Sequence, residues 1–122
     1  ISRLSGRVHE VLTALALFVP AGKSTGEITA DQIARRVTTK VEITTIRLSE
    51  LSKGEIEWYL STEEWKDAAG GYRIQGYGAL FVERIEGCYF NVMGLPLHLF
   101  YGMVSESGYE LLESLPAQSS AV

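Results

Sequence analysis

Apolar and polar residues alternate most regularly between Val37 and Leu48. Val37, Thr39, Val41 and Ile43 interleave with Thr38, Lys40, Glu42 and Thr44, and β-branched side chains dominate. That period of two predicts a β-strand. The apolar parity then moves to Ile46 and Leu48, which predicts a bulge near Thr44-Thr45. A second apolar stretch, Val8 to Val19, is rich in Val and Leu and closed by Pro20. Its density predicts a strand buried on both faces, with a buried helix as the competing assignment. Ahead of it, Ile1 to Arg7 has the pattern of a helix end, with Gly6 suited to a left-handed C-terminal position.

Helical spacing begins at Ser52. Ser52 and Glu55 have the spacing of a capping box, and Leu51 and Ile56 that of a hydrophobic staple. Ile56, Tyr59 and Leu60 then form one buried stripe. Pro96 opens a later helix whose apolar face is Leu97, Phe100, Tyr101 and Val104. Gly108 ends it, and a short helix is expected over Tyr109 to Leu115. Between the two helices, Ala79 to Glu86 predicts a strand, turned at Gly87 into an extended piece from Cys88 to Met93. Thr29 to Arg36 fits one helical turn, and Pro20 to Gly26 a loop. Asp67 to Gly78 contains Gly70, Gly71, Gly76 and Gly78, so its backbone can approach a ligand closely.

Composition narrows the function classes. With 122 residues the chain forms one domain, expected over residues 1–115, with 116–122 as a frayed tail. Eleven basic against 15 acidic side chains give a net charge of −4, without the concentrated basic face that nucleic-acid binding needs. The apolar run at Val11 to Val19 is far shorter than the roughly 20 residues of a membrane helix, so no membrane partner is expected. Cys88 is the only cysteine, which excludes an internal disulfide and fits a reducing, cytoplasmic setting. The first residue is Ile rather than Met, from which we expect further chain upstream.

Several motifs fail on inspection. Gly22-Lys23-Ser24 ends like a phosphate loop, but the glycine required five positions earlier is Leu17. Gly76-Tyr77-Gly78 starts a dinucleotide fingerprint, but the third glycine position is Phe81 and the segment runs from loop to strand. His9 and His98 have no His or Cys at metal-ligand spacing. His9 is expected to satisfy a backbone carbonyl, with contact to a ligand as the alternative, and His98 to be a surface or packing residue. No serine sits in a nucleophile elbow.

What remains is Lys66 to Gly78, where cations, a carboxylate, an amide and aromatic rings sit on a glycine-rich backbone. The Gln75 amide both donates and accepts, as a reader of a base edge must, and Arg73 or Lys66 could meet phosphate oxygens. The plainer alternative is a solvated surface loop.

The run Gly71-Tyr72-Arg73-Ile74-Gln75-Gly76-Tyr77-Gly78 through Gly94-Leu95-Pro96-Leu97 closely resembles the Maf family. Its members are nucleoside triphosphate pyrophosphatases, also called septum formation proteins. Leu4-Ser5-Gly6-Arg7-Val8-His9-Glu10-Val11-Leu12-Thr13 and Thr45-Ile46-Arg47-Leu48 agree with it in the same order. The resemblance implies an α/β fold, a mixed twisted sheet flanked by helices, incomplete at the N-terminus. It implies hydrolysis of dTTP or UTP to the monophosphate and pyrophosphate, with a divalent cation, Mg2+ or Mn2+. The Tyr-x-Ile-Gln-Gly form points to that subgroup rather than to the one acting on 7-methyl-GTP.

By the same resemblance Gln75 reads the pyrimidine, Gly76 and Gly78 keep the backbone close to the nucleotide, and a homodimer is implied. Arg73 and Lys66 complete the expected substrate-binding set. The family's Asp-Lys-Ala-Gly is Asp67-Ala68-Ala69-Gly70 here, so a lysine is missing. The family's amino-terminal third, with its Ser-Pro-Arg-Arg-type loop and the proton acceptor, is expected upstream of Ile1. The alternatives are a shortened, inactive relative that binds a nucleotide or protein, and an interaction domain that ignores nucleotides.

Overall fold

The computed structural model describes residues 1–19, 29–31 and 36–116. Strands β1 (Val8–Phe18), β2 (Val37–Leu48) and β3 (Val82–Glu86) form one sheet in the order β1-β2-β3. β2 and β3 are antiparallel. The amide of Leu48 bonds the carbonyl of Arg7 and that of Val19 the carbonyl of Arg36, the crossed pairing of an antiparallel β1/β2 ladder. The helices are α1 (Lys53–Ser61), α2 (Tyr89–Met93), α3 (Leu97–Glu106) and α4 (Leu111–Ser114), with 3-10 turns at Glu64–Asp67 and Tyr77–Phe81. The α/β class therefore holds, with no parallel strand pair among the described residues. The expected Pro20–Gly26 loop and residues 117–122 of the tail lie outside the described residues. Of the expected turn at Thr29–Arg36, Ala30, Asp31 and Arg36 are helical and 32–35 lie outside.

The chain divides into two compact units, Ile1–Thr13 with Glu42–Pro96 and Ala14–Val41 with Leu97–Val122. In the first, Ile46, Leu48, Leu51, Tyr59, Tyr72 and Phe81 form the core. Ser52 caps α1 as its sequence requires: its hydroxyl accepts the Glu55 amide at 3.1 Å, and the Glu55 carboxylate accepts the Ser52 amide at 2.9 Å. Leu51 is buried and Ile56 packs on the core beside it. Leu60, expected in the buried stripe, is exposed; Tyr59 alone of that helix is fully buried. In the second unit α3 buries Met103 and Val104, while Leu97 and Tyr101, expected on its buried face, are exposed. Gly108 ends α3 with a positive φ of 88°.

Five strand expectations are corrected. β1 is a strand, but its residues alternate between exposed and half-buried, so it is not buried on both faces. From Lys40 onward β2 turns its even-numbered positions inward: Thr44, Ile46 and Leu48 are buried, and Val41 and Ile43 are about half exposed. The irregularity falls between Arg47 and Leu48, against β3, rather than at Thr44-Thr45. Thr44 tolerates full burial because its hydroxyl accepts the Cys88 amide at 3.1 Å and donates to the Cys88 carbonyl at 3.2 Å.

The strand expected from Ala79 starts at Val82, after the 3-10 turn. Cys88 to Met93 is not extended, because Tyr89–Met93 forms α2. Gly87, with φ 124°, turns the chain over Thr44, where a Cβ would come within 2.9 Å of the hydroxyl. The Asn91 amide then donates to the carbonyl of Val11 and to the Thr44 hydroxyl, each at 3.0 Å. These long-range bonds override the strand preference of the aromatic and β-branched residues. Ile1 to Arg7 forms turns rather than a helix end, although Gly6 does take the left-handed φ of 66°.

Candidate functional site

A crevice of about 650 Å3 opens within the first unit. One wall is the start of β1, from His9 to Thr13; another is the loop from Asp67 to Gln75; the third is the end of α2 with Gly94. Asn91 ties two of these walls together. Its amide nitrogen must face the Val11 carbonyl, since an oxygen there would repel it, so the side-chain oxygen points away. That oxygen is buried and unpartnered.

His9 joins β1 to the glycine-rich loop. Its Nε2 lies 2.8 Å from the Tyr72 hydroxyl, with the rings edge to face. It thus meets a tyrosine rather than the expected backbone carbonyl. Burial holds the His9 pKa below its ordinary 6.5. Burial, with a smaller contribution from Tyr59, pushes the Tyr72 hydroxyl up to about 12. Both groups are therefore neutral near pH 7, and the contact is a neutral hydrogen bond between two walls of the crevice.

The loop is held a second time from beneath. The buried Tyr59 hydroxyl accepts the Arg73 amide at 2.7 Å and donates to Glu64 Oε1 at 3.1 Å. Glu64 Oε2 accepts the Tyr77 amide at 3.0 Å, and Oε1 accepts the Gly78 amide at 3.2 Å. Burial by itself would raise the Glu64 pKa, but the two amides, the Tyr59 hydroxyl and the Arg73 charge together bring it below 4.5. The carboxylate is thus ionised at neutral pH.

Of the expected site residues, Gln75 and Arg73 both line the crevice, and Gln75 is exposed there. Lys66 is engaged elsewhere, 3.0 Å from Glu63. Gly76 faces Glu64, whose carboxylate a Cβ would overlap. Gly78 lies against the Arg73 carbonyl, 2.6 Å from where its own Cβ would stand. His98 is exposed, as expected. Sequence reasoning missed Tyr59, Glu64, Tyr72 and Asn91. The usable signal was Gly76-x-Gly78 itself, because paired glycines outside a helix mark a close approach whose partner had still to be found.

Among the described residues, no three His, Cys, Asp or Glu side chains converge on a point that could hold a metal ion. Asp67 and Glu10 line the crevice without forming such a set. No described helix is long and apolar enough to cross a membrane.

The family model described as Maf-like protein matches residues 1–107. A dTTP/UTP pyrophosphatase of Pyrococcus furiosus is 43% identical over 111 residues, which cover 91% of this chain and 50% of that protein. Its counterpart in Pyrococcus abyssi is 43% identical over 104 residues, 85% of this chain and 48% of that one. A dTTP/UTP pyrophosphatase of Syntrophomonas wolfei is 42% identical over 114 residues, 93% and 54% of the two chains. The chain spans about half the length of the curated relatives it matches.

Proposed function

Because the chain belongs to the Maf family, we propose that the protein hydrolyses dTTP and UTP to the monophosphate and pyrophosphate, and that these residues supply its base-reading wall. The supporting observation is Gln75, exposed on the crevice in a loop held by hydrogen bonds on both sides. Thymine and uracil present an N–H between two carbonyls, and an amide meets that edge with one acceptor and one donor. Arg73, on the same crevice, carries the charge to meet phosphate oxygens. Lys66 and Gly76 act one step back in this proposal, on the loop rather than on the nucleotide.

In this proposal a divalent cation, Mg2+ or Mn2+, accompanies the triphosphate. A homodimer in the cytoplasm, without nucleic-acid or membrane partners, belongs to the same proposal and is checked by light scattering and cell fractionation. The activity is tested by incubating the full-length gene product with dTTP, UTP and Mg2+ and measuring pyrophosphate. Release from both nucleotides supports it. Saturable binding without release replaces it with a nucleotide-binding role, and absence of binding overturns it.

A further inference from the structure

Glu64 supports the turn that carries Gln75 and leaves the crevice wall itself to other residues. Gln75 lies in a turn closed by the Gly76 amide on the Arg73 carbonyl at 3.2 Å. On its amino-terminal side, the Arg73 amide is bonded to Tyr59, and the half-buried Ile74 packs against the core. On its carboxy-terminal side, the amides of Tyr77 and Gly78 both end on the Glu64 carboxylate. Tyr59 and Glu64 are themselves bonded to one another, so a single polar unit grips both ends of the turn. The carboxylate occupies the space that a side chain at position 76 would need, which accounts for the glycine there.

We propose that Glu64 is a positioning residue for base selection: it holds the Arg73–Gly78 backbone so that the Gln75 amide meets the pyrimidine edge in one place. The role rests on Gln75 reading the base, as proposed above. A carboxylate suits it, because only an acceptor with two oxygens can take two main-chain N–H groups and a phenol together. A turn held before the ligand arrives spends none of the interaction on ordering itself, and contacts made from a fixed backbone discriminate better than contacts from a loose one. Apart from thymine's 5-methyl group, cytosine differs from thymine only along the edge that Gln75 would meet, so the dTTP-to-dCTP preference is the quantity that Glu64 should control.

The test uses the full-length gene product as wild type, Glu64→Ala, Glu64→Gln, Gly76→Ala and the Glu64→Ala/Gly76→Ala double variant. Amide hydrogen exchange at Tyr77 and Gly78 reports the anchor, and nucleotide titrations report the dTTP-to-dCTP preference. We expect faster exchange and a preference reduced on the order of tenfold in Glu64→Ala, by analogy with the cost of small misplacements at reacting centres. Gly76→Ala should reproduce both effects by displacing the carboxylate. The double variant should be no worse than Glu64→Ala, since the added methyl then has room. Glu64→Gln, which keeps the size but offers only one oxygen, should fall between and serves where Glu64→Ala does not fold.

A folded Glu64 variant with faster exchange and an undiminished preference overturns the positioning role. Equal weakening towards dTTP and dCTP overturns it too, as expected of a merely structural residue. Wild-type protein without a dTTP preference overturns the pyrimidine reading together with this role, while the exchange data still show whether the anchor exists.

Discussion

Replacing Tyr59 with Phe removes one oxygen from a fully buried side chain and leaves the ring in place. The ring keeps its edge-to-face contact with Phe81, 5.8 Å between centroids at 85°, so the packing loss is minor. The polar loss is concentrated. The Arg73 amide, 2.7 Å from the hydroxyl, loses its acceptor, and Glu64 Oε1 loses the phenol donor 3.1 Å away. Leaving one donor unpaired in the protein interior costs about 1–3 kcal/mol, and this part-buried amide belongs at the lower end of that range.

Urea unfolding followed by the fluorescence of Trp58 and Trp65 should show a lower midpoint with an unchanged slope. The melting temperature should fall by roughly 4 °C for each kcal/mol lost. Combined with Glu64→Ala, the two losses should not add, because both act on one hydrogen-bonded unit. A loss below about 0.5 kcal/mol, within the range of an ordinary surface change, or strict additivity with Glu64→Ala, would refute the view that this hydroxyl braces the loop.

Other outcomes follow from neighbouring groups. His9 has a folded pKa below 6.5, so the unfolded chain takes up its proton first; stability should decline as pH falls from about 6.5 to the lower folded value and level off beneath it. His9→Asn should flatten that part of the profile in urea midpoints measured against pH. Glu64, held by the Tyr77 and Gly78 amides and then by Tyr59 and Arg73, also has a lowered pKa, so its anchor should persist to lower pH than that of an ordinary carboxylate and fail only in stronger acid. Exchange at Tyr77 and Gly78, corrected for its intrinsic pH dependence, would show this. Asn91→Ala deletes a fully buried amide that donates to Val11 and Thr44, and should cost about 2–4 kcal/mol in urea unfolding.

Local chemistry was the part of the fold that sequence made legible. The Ser52–Glu55 capping box spans four residues and needs no tertiary partner, so it was read correctly. β2 was bounded from Val37 to Leu48 because its β-branched run is long. Its faces were misassigned, since Thr44 is buried by hydrogen bonds to Cys88 and Asn91 that lie more than forty positions away. The same distant bonds made a helix of Tyr89–Met93, whose residue types favour a strand.

The site divides in the same way. A glycine-rich loop carrying an amide and a cation is visible in the residue types, and so are Gln75 and Arg73. Glu64 is not, because Glu63 and Glu64 are adjacent carboxylates and only the fold decides which one turns beneath Tyr77 and Gly78. His9 and Tyr72 meet across 63 positions, a pairing that no local pattern encodes.

Calorimetric titration of dTTP into the full-length gene product, beside the Gln75→Ala variant, puts the base-reading crevice to its most direct trial. Saturable binding by the unaltered protein is expected, weakened roughly 5- to 150-fold by the substitution, the equivalent of about 1–3 kcal/mol for a paired contact to a base edge. Equal affinity in the two proteins, or no heat of binding in either, would contradict it.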